Sequence, residues 1–173
     1  MPRQRKGCFT HGPMAVAGTN ATKMKNRFFE NPTEDDIKEV GERFCLLDAV
    51  IALDGNDVKA VMGNAGNSVV LTGKATGSNR LADAIEDAVL HACGVVEGYE
   101  LFSADKVLLY IASPKSEPML MSECEALSTF REMFPQAAEW RWGLAEKSDI
   151  RDMRIVMIAS NVRNIRPSVQ QSK

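Results

Sequence analysis

Two nearly uninterrupted apolar runs constrain the fold of this chain more than any other feature of its sequence. Residues 106–112 read KVLLYIA, and residues 151–160 read RDMRIVMIAS, which alternates at first and then becomes uniformly apolar. A strand with apolar side chains on both faces must be covered on both faces, so the first run predicts a central strand. Helices packed on a sheet are therefore expected.

The remaining elements alternate between helices and strands. Apolar periodicity predicts helices over residues 34–49, 58–62, 80–93 and 119–134. Thr33 is the predicted N-cap of the first helix, with Asp36 three residues further on. Apolar or β-branched runs predict strands over residues 68–72, 106–112, 139–144 and 151–160.

This order of elements favours an α+β fold, an α/β sandwich in which a four-stranded mixed sheet packs against about three helices. The last two strands are separated only by a short polar loop around Lys147, Ser148 and Asp149. A connection of that length predicts that these two strands pair antiparallel.

Charge is distributed unevenly along the 173 residues. Nine of the 21 basic residues lie in residues 1–29 and 161–173, whereas all 23 acidic residues lie between these ends. We therefore expect one acidic domain over residues 31–160, a basic disordered tail over residues 1–30 and a second basic tail over residues 161–173. The tails contain few aromatic residues for base stacking, so we expect no nucleic-acid partner.

The cysteines and the hydropathy pattern indicate which kind of site and which cellular compartment to expect. Cys8, Cys45, Cys93 and Cys124 are too far apart in the sequence for a zinc knuckle or a redox pair, so no metal site is expected. The last three fall in apolar, helix-like stretches, where a reduced cysteine behaves as a small core residue. No apolar run is long enough to span a membrane and no secretory signal is visible, which favours a cytoplasmic protein.

A turn between Leu53 and Asp57 carries the only paired carboxylates that we expect on an exposed loop. Asp54 and Asp57 together could orient a water molecule or neutralise a metal-bound phosphate. Alternatively, one aspartate belongs to the turn and the other caps the short helix that follows. The residues by themselves leave both interpretations open.

The order of several motifs resembles the C-terminal domain of FtsZ, the bacterial tubulin homologue. The stretch IALDGNDVKAVM at residues 51–62 resembles the acidic loop that begins that domain. The likeness continues in register through residues 73–80, 106–111, 121–130, 142–144 and 154–159. Each motif is short, but several in the same order and spacing are more specific, and together they cover residues 34–161.

The resemblance implies a role in a filament. FtsZ is a filament-forming GTPase of bacterial division, in which the acidic loop of one subunit completes hydrolysis of the nucleotide held by the next. Carried over, Asp54 and Asp57 are the catalytic acids and act in trans on a neighbour's nucleotide. Gly55, Asn56 and Lys59 fall in the same interface. The chain is then a filament component, a cap or a regulator.

Departures from the family pattern define what else is expected. Ala52 stands where the family has asparagine, and Gly55 where it usually has a bulky residue. The family's glycine-rich GTP signature, Gly-Gly-Gly-Thr-Gly-Thr-Gly, does not occur in the sequence. We therefore expect no cofactor bound by this chain alone, with GTP and Mg²⁺ held only by a partner subunit. The expected partners are FtsZ or FtsZ-like subunits, with self-association, at the division site.

A second hypothesis comes from a different class of function. The chain could be a stand-alone small-molecule-binding domain or enzyme with a site between subunits. Arg80, Arg141, Arg151 and Arg154 could there clamp a carboxylate or a phosphate. Alternatively, Arg151 and Arg154 are surface residues at a strand end.

Overall fold

The computed structural model describes residues 19–44, 48–92 and 94–166. Its strands are β1 (Arg27–Phe29), β2 (Ala49–Ile51), β3 (Ser68–Ala75), β4 (Tyr99–Glu100), β5 (Lys106–Pro114), β6 (Glu139–Lys147), β7 (Met153–Ser160) and β8 (Arg163–Asn164). Its α-helices are α1 (Glu34–Gly41), α2 (Gly55–Met62), α3 (Arg80–Leu90) and α4 (Glu125–Glu132). Short 3₁₀ turns occur at Thr19–Lys23, Leu101–Ser103 and Met121–Cys124.

The sheet is mixed and six-stranded, in the order β1-β3-β7-β5-β6-β2. Its strands β5 and β6 are parallel, and the other neighbours are antiparallel. The strands β4 and β8 form a separate two-stranded ribbon. With helices on both faces, this architecture confirms the α+β sandwich expected from the sequence.

The two apolar runs form the centre of the sheet, which confirms the central position predicted for residues 106–112 and places the second run beside them. In β5 and β7, alternate side chains enter two different cores. Leu109 and Met157 pack on the side that contains α3 and α4, whereas Leu108 and Ile158 pack on the side that contains α1 and α2. Because both faces of these strands are covered, their sequences are apolar throughout rather than alternating.

The first helix begins where the sequence predicted. The Asp36 N–H donates to Thr33 Oγ1 at 3.2 Å, and the Thr33 N–H donates to Asp36 Oδ2 at 2.8 Å, which completes a capping box. The Thr33 N–H and the Thr33 hydroxyl, at 2.9 Å, both donate to Asp36 Oδ2, and these two bonds are the main reason that the pKa of Asp36 lies below its ordinary value. The Thr33 N-cap is therefore confirmed.

The predicted end of this helix near residue 49 is wrong. Helix α1 ends at Gly41, and residues 49–51 form the edge strand β2, preceded by Asp48 with a φ of 64°. A Cβ on Gly41 would lie 3.1 Å from Gly55 Cα, so a glycine allows α1 to end against the start of α2. Pairing of β2 with β6 and this close approach override the local helical periodicity.

The predicted pairing of the last two strands is also wrong, because β5 lies between β6 and β7. All of β7 from Ile155 onward is buried, and this strand has a neighbour on each side. Strand β6 instead carries the exposed Arg141 and Trp142 and lies nearer the edge. A uniformly apolar strand belongs inside a sheet, whereas a strand with charged exposed residues fits near its edge.

The sheet has two more strands than the four predicted, the short edge strands β1 and β2, and the ribbon of β4 and β8 was not predicted either. Strand β1 lies within the predicted tail of residues 1–30, where Arg27 pairs with Val70 and Phe29 is buried. Strand β8 lies within the predicted tail of residues 161–173 and pairs with β4. The tail interpretation is therefore wrong for residues 19–30 and for β8, while residues 1–18 and 167–173 lie outside the described residues.

Two further features concern the cysteines and membrane spans. Cys124 is half-buried and forms no disulfide within the described part of the chain. Cys8, Cys45 and Cys93 lie outside the described residues. In the part of the chain that the structure describes, no helix combines the length and the apolar character needed to cross a bilayer.

Candidate interface site at the acidic loop

The acidic loop is the N-terminus of α2. Asp54 is the N-cap, and its Oδ1 accepts from the N–H groups of Asn56 at 2.8 Å and Asp57 at 3.3 Å. In return, Asp57 Oδ2 accepts from the Asp54 N–H at 3.0 Å. Both acids therefore form one capping box, and Asp54 rather than Asp57 is the N-cap. The shared box fixes the two carboxylates relative to each other.

A cation from β6 lies beside this pair. Arg141 Nη1 donates to Asp57 Oδ1 at 3.1 Å, while its Nη2 and Nε donate to Glu139 Oε1. The bond to Glu139, with a contribution from Asp57, raises the pKa of Arg141 above its ordinary value. Both Asp57 oxygens thus have partners, whereas Asp54 Oδ2 accepts no hydrogen bond from any described residue.

The loop is held in place by its first residue. Leu53 is buried, with 5% of its surface exposed. A Cβ on Gly143 would lie 2.5 Å from Leu53 Cγ, so only glycine at position 143 leaves room for this side chain. The anchored Leu53 and the contact between Gly41 and Gly55 fix where α2 starts, and therefore where the acids lie.

The surface around the acids is open. Gly55, Asn56 and Lys59 are all exposed on the first turns of α2, as the interface prediction requires, although their exposure does not test it. A groove of about 550 Å³ runs between α1 and α2, lined by Glu34, Asp35, Ile37, Lys38, Gly41, Glu42, Gly55 and Lys59. Just before the loop, Val50 and Ile51 of the edge strand β2 are 57% and 38% exposed. Apolar edge residues beside a polar rim are typical of an interaction surface.

The described residues contain no group of three histidine, cysteine or acidic side chains that could hold a metal ion. The expectation that nucleotide and Mg²⁺ are held by a partner subunit therefore stays a prediction. The sequence placed Arg141 in a different candidate site from Asp57, from which it is 84 residues distant. No local spacing could have revealed their contact.

Three of the four arginines of the second hypothesis pair with different carboxylates. Arg80 donates to Glu123, Arg141 to Glu139 and Asp57, and Arg154 to Asp152. Arg151 is exposed and has no ion pair with any residue that the structure describes. The clamp was predicted between subunits, and it stays a prediction.

Comparisons with known proteins find similar folds but no similar sequences. No protein-family model matches the chain, and no curated protein matches it. An empty FtsZ dimer from M. jannaschii has a TM-score of 0.55 at 18% identity, over 73% of this chain and 39% of that one. A tryptophan-to-tyrosine mutant of that FtsZ has a TM-score of 0.54 at 20% identity, over 66% and 34% of the two chains.

A second protein, TubZ, has a similar fold. TubZ from Bacillus thuringiensis serovar israelensis, in GDP-form protofilaments, has a TM-score of 0.54 at 8% identity, over 65% of this chain and 30% of that one. At these identities the likeness is one of fold alone. The chain has an FtsZ/tubulin-like fold and spans less than two-fifths of the length of these structures.

Proposed function

We propose that this chain is a C-terminal-domain-like module of the FtsZ family that engages an FtsZ-like GTPase subunit through its acidic loop. It would act as a filament component, a cap or a regulator, in the cytoplasm at the division site. The FtsZ/tubulin-like fold supports this proposal, as does the position of the acids on an exposed helix start. GTP and Mg²⁺ would be held by the partner subunit, and self-association is the other possible pairing.

The observation that carries the proposal is that the two acids differ in their hydrogen-bond partners. Asp57 is held on one oxygen by the Asp54 N–H and on the other by Arg141. Asp54 is fixed through Oδ1 and keeps Oδ2 without a donor among the described residues. A fixed carboxylate with one available oxygen can orient an attacking water, the role that water-positioning residues have in GTPases. Asp54 would therefore position water, and Asp57 would hold the loop.

The surrounding residues provide contact area for the partner. Gly55 and Asn56 are exposed between the two acids, and Lys59 follows one turn later on α2. The exposed Val50 and Ile51 add apolar surface on the preceding strand. Together they would form a polar contact around the acids beside an apolar one, which is the usual arrangement of a protein interface.

The test measures GTP turnover and co-sedimentation of full-length FtsZ with added protein. We expect the wild-type chain to sediment with GTP-assembled FtsZ and to change its turnover. Asp54→Ala should remove the effect on turnover, because it removes the available oxygen. Asp57→Ala should weaken both effects, because it loosens the loop.

Asp36→Ala is a matched control, since Asp36 is the capping-box acid of α1 and also lies near an arginine, with 3.7 Å between its Oδ1 and Arg27 Nη2. It should lower stability as an Asp57 variant does, but leave the effects on FtsZ intact. Identical turnover with wild type, with the acidic-loop variants and with no addition would contradict the proposal. Equal losses for Asp36→Ala and the loop variants would also contradict it.

A further inference from the structure

A second surface, at the β1–β3 edge of the sheet, collects cationic side chains that the acidic-loop function does not use. It is a groove of about 460 Å³, lined by Thr22, Met24, Lys25, Asn26, Thr72, Gly73, Lys74, Asp87, His91 and Arg154. We propose that this groove binds a phosphate group, either of a small phosphorylated molecule or of a lipid headgroup.

The cations come from three separate segments. Lys74 on β3 lies directly opposite Arg154 on β7, and cross-strand partners project from the same face of a sheet. Lys25 belongs to the segment that leads into β1. Three cations from different segments can approach one ligand from different directions. A phosphate, with several strong acceptor oxygens, is recognised by several donors in this way.

The wall of the groove is closed by side chains rather than by another strand. Strand β1 pairs only with residues 68–70 of β3. Beyond it, Asn26 Oδ1 accepts from the Thr72 N–H at 2.8 Å, and Asp87 Oδ2 accepts from the Lys74 N–H at 3.0 Å. The exposed backbone donors of β3 are thereby satisfied, which blocks strand addition at this point. The groove is left for a ligand that side chains recognise.

The acid in the groove has partners on both oxygens, whereas two of the three cations have no carboxylate partner among the described residues. Asp87 Oδ2 accepts from the backbone N–H of Lys74, and Asp87 Oδ1 lies 3.0 Å from His91 Nδ1. Arg154 uses Nε on Asp152, and a guanidinium has four further N–H donors. Neither Lys25 nor Lys74 has a carboxylate partner in the described part of the chain. Lys25, Lys74 and the free N–H groups of Arg154 thus remain available to a ligand in the groove.

The groove and the acidic loop are independent. The groove lies at the β1–β3 edge, whereas the acidic loop follows β2, at the opposite edge of the same sheet. Its volume lies within the range of about 300–1,000 Å³ that small-molecule sites occupy. Failure of one proposal therefore leaves the other standing.

The test uses pyrophosphate as the probe and isothermal titration calorimetry of the full chain at low ionic strength. We expect wild type to bind, and Lys74→Gln and Arg154→Gln each to weaken binding about tenfold, because each removes charge-assisted hydrogen bonds. Arg151→Gln is the matched control, since Arg151 is exposed close to Arg154 but does not line the groove. It should bind as wild type does.

The source of the phosphate is separated by a second measurement, flotation with phosphatidylcholine vesicles that contain phosphatidylinositol bisphosphate. Flotation that depends on Lys74 and Arg154 assigns the groove to a headgroup, and pyrophosphate binding without flotation assigns it to a soluble ligand. No pyrophosphate binding would overturn the proposal. Equal weakening by Arg151→Gln and the groove variants would also overturn it, because binding would then depend on the net charge of the protein and not on the groove.

Discussion

Two arginine–carboxylate pairs in this molecule differ mainly in burial. Arg80 and Glu123 have side chains only 7% exposed, whereas Arg141 and Asp57 are 43% and 21% exposed. Arg80 donates to both Glu123 oxygens, at 2.8 and 3.1 Å, and to the carbonyls of Glu117 and Pro118. Arg141 makes a single bond to Asp57.

This difference in burial means that the Arg80–Glu123 pair stabilises the fold, whereas the Arg141–Asp57 pair can change partners. Removing water from the charged Arg80 side chain is unfavourable, and its four hydrogen bonds offset that cost. The same bonds connect the start of α3 to the segment before α4. An exposed pair contributes little to stability, because water and salt screen it. Asp57 can therefore exchange Arg141 for a group of another protein at small energetic cost, which suits a docking surface.

The largest expected effect is on the buried pair. Glu123→Gln keeps the shape of the side chain but removes the buried counter-charge of the Arg80 cation. We expect the free energy of unfolding to fall by about 3 kcal/mol, measured by urea denaturation. Glu117→Gln is the control, because its side chain is 72% exposed at 3.6 Å from Arg80, and it should change stability by less than about 0.5 kcal/mol. Equal losses of stability in both variants would show that burial does not decide how much such a pair contributes.

Acid should reduce the difference in stability between wild type and Glu123→Gln. The hydrogen bonds from Arg80, and secondly the Leu120 N–H, hold the pKa of Glu123 below its ordinary value of 4.5. A carboxyl whose pKa is lowered by folding stabilises the fold above its unfolded pKa, and that stabilisation is lost as the pH falls through its folded pKa. The difference in the free energy of unfolding between the two proteins, measured by urea denaturation, should therefore shrink from neutral pH to about pH 3. A constant gap across this range would show that the Glu123 charge is not the cause.

The smallest expected effect is on the exposed pair. Arg141→Gln should change the free energy of unfolding by no more than about 0.5 kcal/mol, because the capping box of α2 does not depend on it. The same denaturation measurement checks this. A loss as large as that of Glu123→Gln would mean that Arg141 holds the fold, and the comparison would then fail.

What could be predicted from the sequence was mostly local. The Thr33 cap of α1 was predictable because Thr33 and Asp36 are three residues apart and bond to each other. The acidic loop was recognised as a turn before a short helix, although the N-cap proved to be Asp54. Strands β1 and β2 were missed because three residues are too few to show a period. The end of α1 was missed because it depends on contact with Gly55.

The sequence by itself determined that residues 106–112 would be a central strand of a covered sheet and that residues 151–160 would be a strand, because apolar side chains on both faces of a strand must be removed from water. Only the tertiary structure decided that β5 would separate β6 from β7. It also decided that Arg141 would reach Asp57 and that Lys74 would face Arg154. These contacts join residues far apart in the chain, so they depend on the order of the strands rather than on any local pattern.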